Sequence, residues 1–173
     1  IAKHVGLGYP GGPIVDRLAA TGNPRAFLFP RPLRNRDDFD FSFSGLKTAF
    51  AREVDRQGGA EVIRKDDKLT ADLCASFQAA CVDVLIHKAD KALRANRLTR
   101  LAVVGGVACN RGLRAALAQR LPGIHVAVPA AEFCTDNAAM IAGAAFHADA
   151  KSTLAMSANV QLDLAAGAAA WQA

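Results

Sequence analysis

The sequence predicts an α/β protein, on three observations. Residues 101–104 and 124–128 are short apolar runs, and each is followed by a helical pattern. Strand, helix, strand and helix in that order describe a parallel pair joined by a right-handed crossover. Upstream, Leu69, Leu73, Phe77, Ala80, Cys81, Val84 and Leu85 are spaced 4, 4, 3, 1, 3 and 1 apart, which traces one stripe of a long helix. Finally, 51% of the 173 residues are apolar and 21% are charged, a balance that supports a packed core rather than a disordered chain. The length suits a single domain.

In chain order, residues 6–13 form a turn rich in glycine and proline. Pro13 suits the first turn of a helix, where its missing N–H costs nothing. Ile14, Val15 and Leu18 give that helix a short apolar face, and Gly22 and Pro24 stop it. Residues 27–32 read as an extended piece broken by prolines. Phe39, Phe41 and Phe43 alternate with polar residues, so period two predicts a strand with one buried face. Residues 46–50 look helical, and the charged stretch 52–68 reads as a surface connection with some helix. The long helix then runs from near 67 to near 96, with Lys88, Lys91 and Arg94 on a polar side. Residues 101–104 predict a buried strand. Gly105-Gly106 turns the chain into a helix over 109–120, residues 124–128 form the second strand, and Pro129 stops it. Thr135-Asp136-Asn137 supplies cap residues for a small-residue helix over 138–148. Residues 1–150 are expected to form the folded lobe and 151–173 a low-complexity tail.

The 21 Lys and Arg against 16 Asp and Glu leave a net charge of +5, which permits an anionic partner. No secretory signal or membrane span is expected, and a cytoplasmic location follows. The four cysteines lack a CxxC spacing, and Cys74 and Cys81 lie two helical turns apart, so reduced core thiols are expected rather than a zinc ribbon or disulfides. The chain begins with Ile1 rather than Met, as a processed chain or a fragment would.

Two glycine turns open helices: Tyr9-Pro10-Gly11-Gly12-Pro13 and Gly105-Gly106-Val107-Ala108-Cys109-Asn110. Free N–H groups at a helix start, with a backbone that glycine leaves open, can cradle a phosphate. Taken alone, each reads more readily as a tight turn and nothing more. Asn110 stands after a strand's carboxyl end, where α/β sheets bind ligands, or it is a helix-start residue. Asp136 is either one carboxylate of a metal site or an N-cap. Asp16 with Arg17 is a ligand contact or a solvated pair. Arg31, Arg34, Arg36, Lys88, Lys91, Arg94, Arg111 and Arg114 engage phosphates or form solvated faces.

In sequence order, the PGGP segment with Asp16-Arg17-Leu18-Ala19, then Phe41-Ser42-Phe43-Ser44-Gly45-Leu46-Lys47-Thr48, then Ala75-Ser76-Phe77-Gln78, then Gly105 to Arg111, then Cys134-Thr135-Asp136-Asn137-Ala138-Ala139-Met140, closely resemble the TsaD family of tRNA N6-adenosine threonylcarbamoyltransferases. The resemblance implies an actin/Hsp70-like ATPase fold with ribonuclease-H-like lobes, of which this chain is most of the C-terminal one. It implies transfer of a threonylcarbamoyl group from threonylcarbamoyl-adenylate to N6 of the adenosine next to the tRNA anticodon, position 37. Gly12, Asp16 and Asn110 match positions that bind the adenylate or ATP, and Asp136 matches a ligand to one divalent metal, iron or zinc. No catalytic residue is assigned. Cys109 stands where the family commonly has Ala. The family's HxxxH metal ligands, a glycine-rich turn and another aspartate are not found in these residues, so a C-terminal fragment, inactive by itself, is expected. Expected partners are tRNA, a TsaB-like paralogue, a TsaE-like ATPase and the N-terminal lobe. The alternative is a noncatalytic nucleotide-binding or dimerisation module of the same superfold. The FSFSGLKT run favours the transferase over a sugar or acetate kinase.

Overall fold

The computed structural model describes residues 1–147. In chain order it places α1 (Gly11–Ala19), α2 (Ser44–Arg56), α3 (Ala60–Lys65), α4 (Asp67–Ala95), β1 (Arg100–Ala102), a 3-10 turn (Gly106–Cys109), α5 (Arg111–Arg120), β2 (His125–Ala127), a second 3-10 turn (Ala131–Phe133) and α6 (Ala138–His147). Residues Ile1–Cys134 form one compact unit, and a second begins at Thr135. The tail expected at 151–173 lies outside the described residues.

The first unit is built around α4. Asp66 caps its start, Oδ1 accepting from the Leu69 N–H at 2.9 Å. The sequence predicts a single apolar stripe, but α4 is buried well beyond it, at Thr70, Cys74, Ser76, Val82, Ile86 and Lys88 among others. The reason is that α1, α3 and α5 all pack on it. By length and composition α4 would also cross a bilayer, yet over half of that apolar window is packed inside the protein, as a core helix requires.

At one end of α4, Phe77 meets Phe50 and Phe29 edge to face, with ring centroids 5.3 and 5.9 Å apart. Such pairs add about 0.5–1.5 kcal/mol beyond their burial. At the other end, Ile86, Leu93, Leu113 and Leu117 form a second cluster against the strands. The strands pair in parallel, Leu101 opposite Val126. Leu101, Val103, Val126 and Val128 turn towards that cluster, the alternation expected of a pleated strand. The strand at 101–104 is not buried as expected: Arg100 and Ala102 are exposed, and Val104 is 70% exposed. The sheet has two strands among the described residues, and helices pack on the face that carries Leu101 and Val103.

Residues 22–27 are stitched to α4. A Cβ on Gly22 would stand 2.0 Å from the Ala71 carbonyl oxygen, so only glycine fits there. The Asn23 N–H donates to Asp72 Oδ1 at 2.6 Å. The Ser76 hydroxyl accepts from the Phe27 N–H and donates to the Asn23 carbonyl, each at 3.1 Å.

Residues 39–43 are not a strand. Among the described residues no strand pairs with them. Phe41 instead stacks on Phe43, with centroids 6.4 Å apart, and lines an apolar groove of about 200 Å³ with Leu85, Ile86 and Leu101. The period-two pattern reports packing of a loop. Helix follows immediately, and α2 extends well past the expected 46–50; α3 supplies the helix expected in the charged stretch.

The expected polar side of α4 is also different. Lys88 is buried, and its ammonium donates to the Asp38 carbonyl at 2.7 Å, Asp38 Oδ1 at 2.8 Å and the Arg36 carbonyl at 3.3 Å. Lys91 donates to the Arg36 carbonyl and to Asp37. These side chains anchor the 33–43 loop. Arg31 and Arg120 both hold Asp83.

Burial opposes ionisation of Asp83, but hydrogen bonds from Arg31 and Arg120 outweigh it and keep its carboxyl below the usual carboxylate range. A lowered folded-state pKa gives stability that is fully present above the unfolded value and is lost as pH falls through the folded one. The Asp83→Asn variant is therefore expected to show a shallower loss of stability below about pH 4 than the parent chain. Urea midpoints measured across a pH series check this, and parallel acid limbs would contradict it.

Candidate functional site

Two helix starts meet beside α4. The first belongs to α1, whose N-cap residue, Pro10, gives no side-chain cap. The leading N–H groups of a helix have no partner within it, and they carry the positive end of its dipole. Nothing lies within 4 Å of the place where a Cβ of Gly12 would stand, so this backbone is open to approach. The second start belongs to α5. Gly105, with a φ of +85°, turns the chain out of β1 into the 3-10 turn. Asn110 then caps α5, its Oδ1 accepting from the Leu113 N–H at 2.8 Å.

Side chains tie the two starts together. Asn110 Nδ2 donates to Asp16 Oδ1 at 3.0 Å and to Gln78 Oε1 at 2.7 Å. The Arg111 N–H also donates to Asp16 Oδ1, at 3.1 Å, and Arg111 Nε donates to Oδ2 at 2.7 Å. The Asp16 side chain is 13% exposed, whereas that of Arg111 is 63% exposed. Gly12, Pro13, Asp16, Gly106, Val107, Cys109, Asn110 and Arg111 line a cavity of about 390 Å³. A second cavity of about 340 Å³ shares Gly12, Val107 and Asn110 and extends past Gln78, Phe77 and Cys81. Each falls within the size range of small-molecule pockets.

Three of the residues singled out in the sequence, Gly12, Asp16 and Asn110, thus stand around one cavity. Asp136 lies in the second unit. It is exposed, and the cap of α6 is Asn137, whose Oδ1 accepts from the Met140 N–H at 3.1 Å. Among the described residues no three His, Cys, Asp or Glu side chains gather into a group that could hold a metal ion. Asp136 alone does not make a metal site.

Most of the basic residues that the sequence offers for phosphates make internal bonds. Arg36 pairs with Asp38, Arg94 with Asp90, and Arg114 donates to the Ala108 and Pro129 carbonyls. Burial pushes the Cys74 and Cys81 thiols up to about 11, so neither is a thiolate at neutral pH. Burial and the neighbouring Cys134 thiol also raise Cys109.

Gln78 has no assigned role in the sequence reading. Its signal is an amide in the middle of an apolar helix, next to Phe77. Each residue of Ala75-Ser76-Phe77-Gln78 has its own task. Ala75 lines a cavity beside α1, Ser76 holds residues 23–27, Phe77 enters the aromatic cluster and Gln78 reaches Asn110.

These features define a class: an α/β ligand-binding unit in which the uncapped start of one helix and the side-chain-capped start of another line one cavity of small-molecule size. The family model described as TsaD: tRNA N6-adenosine threonylcarbamoyltransferase matches residues 1–143. A tRNA N6-adenosine threonylcarbamoyltransferase of Geotalea uraniireducens is 49% identical over 144 residues, covering 82% of this chain and 41% of that protein. One from Bordetella petrii is 52% identical over 149 residues, covering 83% and 41%. One from Anaeromyxobacter is 49% identical over 150 residues, covering 85% and 44%. The chain belongs to the TsaD family. It spans about two-fifths of the length of these relatives, all of them by name transferases acting on tRNA.

Proposed function

We propose that this chain supplies the adenylate-binding part of a site that moves a threonylcarbamoyl group from threonylcarbamoyl-adenylate to N6 of adenosine 37 in tRNA. The observation that carries the reading is the Asp16–Asn110 tie, which joins two helix starts around one cavity. The open N–H groups of the first turn of α1 face the anionic part of the adenylate or of ATP. The Arg111 guanidinium, mostly exposed beside Asp16, adds charge at the rim. Asp16 and Asn110 fix the angle between the two helix starts, and the Asp16 carboxylate stands in the cavity wall as an acceptor. The chain's own residues thereby bind and orient the donor.

The larger protein would have the actin/Hsp70-like ATPase fold. A divalent metal, iron or zinc, would take Asp136 as one ligand only alongside donors from outside these residues, and would supply Lewis acidity when bound. The partners that fit this reading are tRNA, a TsaB-like paralogue and a TsaE-like ATPase, in the cytoplasm. The net charge of +5 suits a tRNA substrate.

The test is a chimera in which residues 1–143 replace the matching segment of the Bordetella petrii enzyme. Transfer of labelled threonine from threonylcarbamoyl-adenylate to tRNA is measured. The chimera is expected to transfer and the 173-residue chain alone is not. A folded chimera that binds donor without transfer would point to the noncatalytic module instead, and transfer by the isolated chain would overturn the division of the site.

A further inference from the structure

We propose that Gln78 is the positioning residue of this site: from the central helix it fixes the carboxamide of Asn110, and Gly112 is glycine to make room for it. A carboxamide has two N–H donors and one oxygen acceptor. Asn110 uses all of them: its oxygen takes the Leu113 N–H, and its two hydrogens go to Asp16 and Gln78. Without Gln78, the cap bond and the Asp16 bond leave one Asn110 hydrogen unassigned, and the amide is free to tilt into the cavity.

Gln78 is absent from the lining of the 390 Å³ cavity and reaches it through its bond to Asn110, while its own side chain lines the adjoining 340 Å³ cavity. Its own amide is held over the first turn of α5. A Cβ on Gly112 would stand 2.5 Å from Gln78 Nε2 and 3.3 Å from Asn110 Oδ1. Nε2 is the end of a flexible side chain, so alanine at 112 moves the Gln78 amide rather than the helix. Alanine is also the better helix former. Gly112→Ala therefore displaces Gln78 without weakening α5, which separates positioning from stability.

This inference rests on Asn110 facing the nucleotide, and its test is built to fail separately from that reading. Three variants of the 173-residue chain are used: Gln78→Met, Gln78→Glu and Gly112→Ala. The first readout is the side-chain amide resonance of Asn110 in 15N–1H spectra without ligand. It is expected to shift in Gln78→Met and Gly112→Ala and to return towards the parent position in Gln78→Glu, which keeps an acceptor oxygen. The second is ATP titration followed by the same spectra. Gly112→Ala is expected to weaken ATP about tenfold, the effect of one buried polar partner lost, while its melting temperature holds or rises. Unmoved Asn110 resonances in Gln78→Met would overturn the proposal, as would unchanged ATP affinity in Gly112→Ala. A parent chain that binds no ATP would instead overturn the nucleotide reading, and the ligand-free spectra would still decide whether Gln78 orients Asn110.

Discussion

Replacing Lys88 with methionine is expected to lower the unfolding free energy by about 2–3 kcal/mol. Methionine keeps most of the buried stem's packing, so the loss is that of the ammonium. Replacing a buried charge with an apolar group of like volume is often neutral, because desolvation cost vanishes with the charge. The partners decide the sign here. Lys88 holds two backbone carbonyls as well as the Asp38 carboxylate. Asp38 keeps Arg36 after the substitution and the Arg36 carbonyl keeps Lys91, but the Asp38 carbonyl loses its donor. The hydrogen bond from Lys88 is also the largest cause of the lowered Asp38 pKa. Urea unfolding checks the loss, and faster proteolysis within 33–43 is expected with it, since Lys88 anchors that loop. A Lys88→Met chain as stable as the parent would show that Phe41 and its groove hold the loop unaided.

The second large effect concerns Asp16. Asp16→Ala is expected to raise the ATP dissociation constant about 100-fold. Two effects oppose each other. Removing a carboxylate beside an anion site relieves repulsion, roughly 1 kcal/mol for unit charges about 4 Å apart in water. It also abolishes three hydrogen bonds, from Asn110 Nδ2, the Arg111 N–H and Arg111 Nε, each worth about 1.5–3 kcal/mol when the acceptor is charged. Arg111 is mostly exposed, which discounts its share, but the Asp16 carboxylate itself is largely buried. Loss of alignment therefore outweighs relief of charge. Titration calorimetry with ATP measures the net result. Tighter binding would mean that Asp16 restrains the Arg111 charge rather than aligning the site.

The long helix was legible because its cause is local: a repeated apolar spacing over a stretch that no glycine or proline interrupts. The strands at 100–102 and 125–127 were legible as apolar runs between turns. Their exposure was not, since it depends on whether another layer packs over the face that carries Arg100, Ala102 and Val104. The phenylalanine alternation at 39–43 misled for a related reason. Period two states which residues share a face, not whether a neighbouring backbone is there to bond. Lys88 misled in the opposite direction. Its spacing with Lys91 and Arg94 reads as a solvated face, and only a loop 50 residues earlier in the chain makes it an anchor. Gly12 and Asn110 could be picked out as turn and helix-start residues and Asp16 as a polar residue one turn into a helix, whereas Gln78 carried no such mark. The bond from Asn110 to Asp16 spans 94 positions and has no local signature.

That bond also bears on what the site can tell apart. The cavity is lined by side chains of definite reach: an aspartate from α1 and an asparagine and an arginine from the start of α5, with a glutamine from α4 bonded to the asparagine. Its width is thus a matter of how many methylenes each residue carries, more a ruler than a hinge. Aspartate to glutamate at position 16 keeps the charge and every donor, yet pushes one helix start away from the other by the length of a carbon–carbon bond. A ligand seated between the two helix starts would meet that spacing directly.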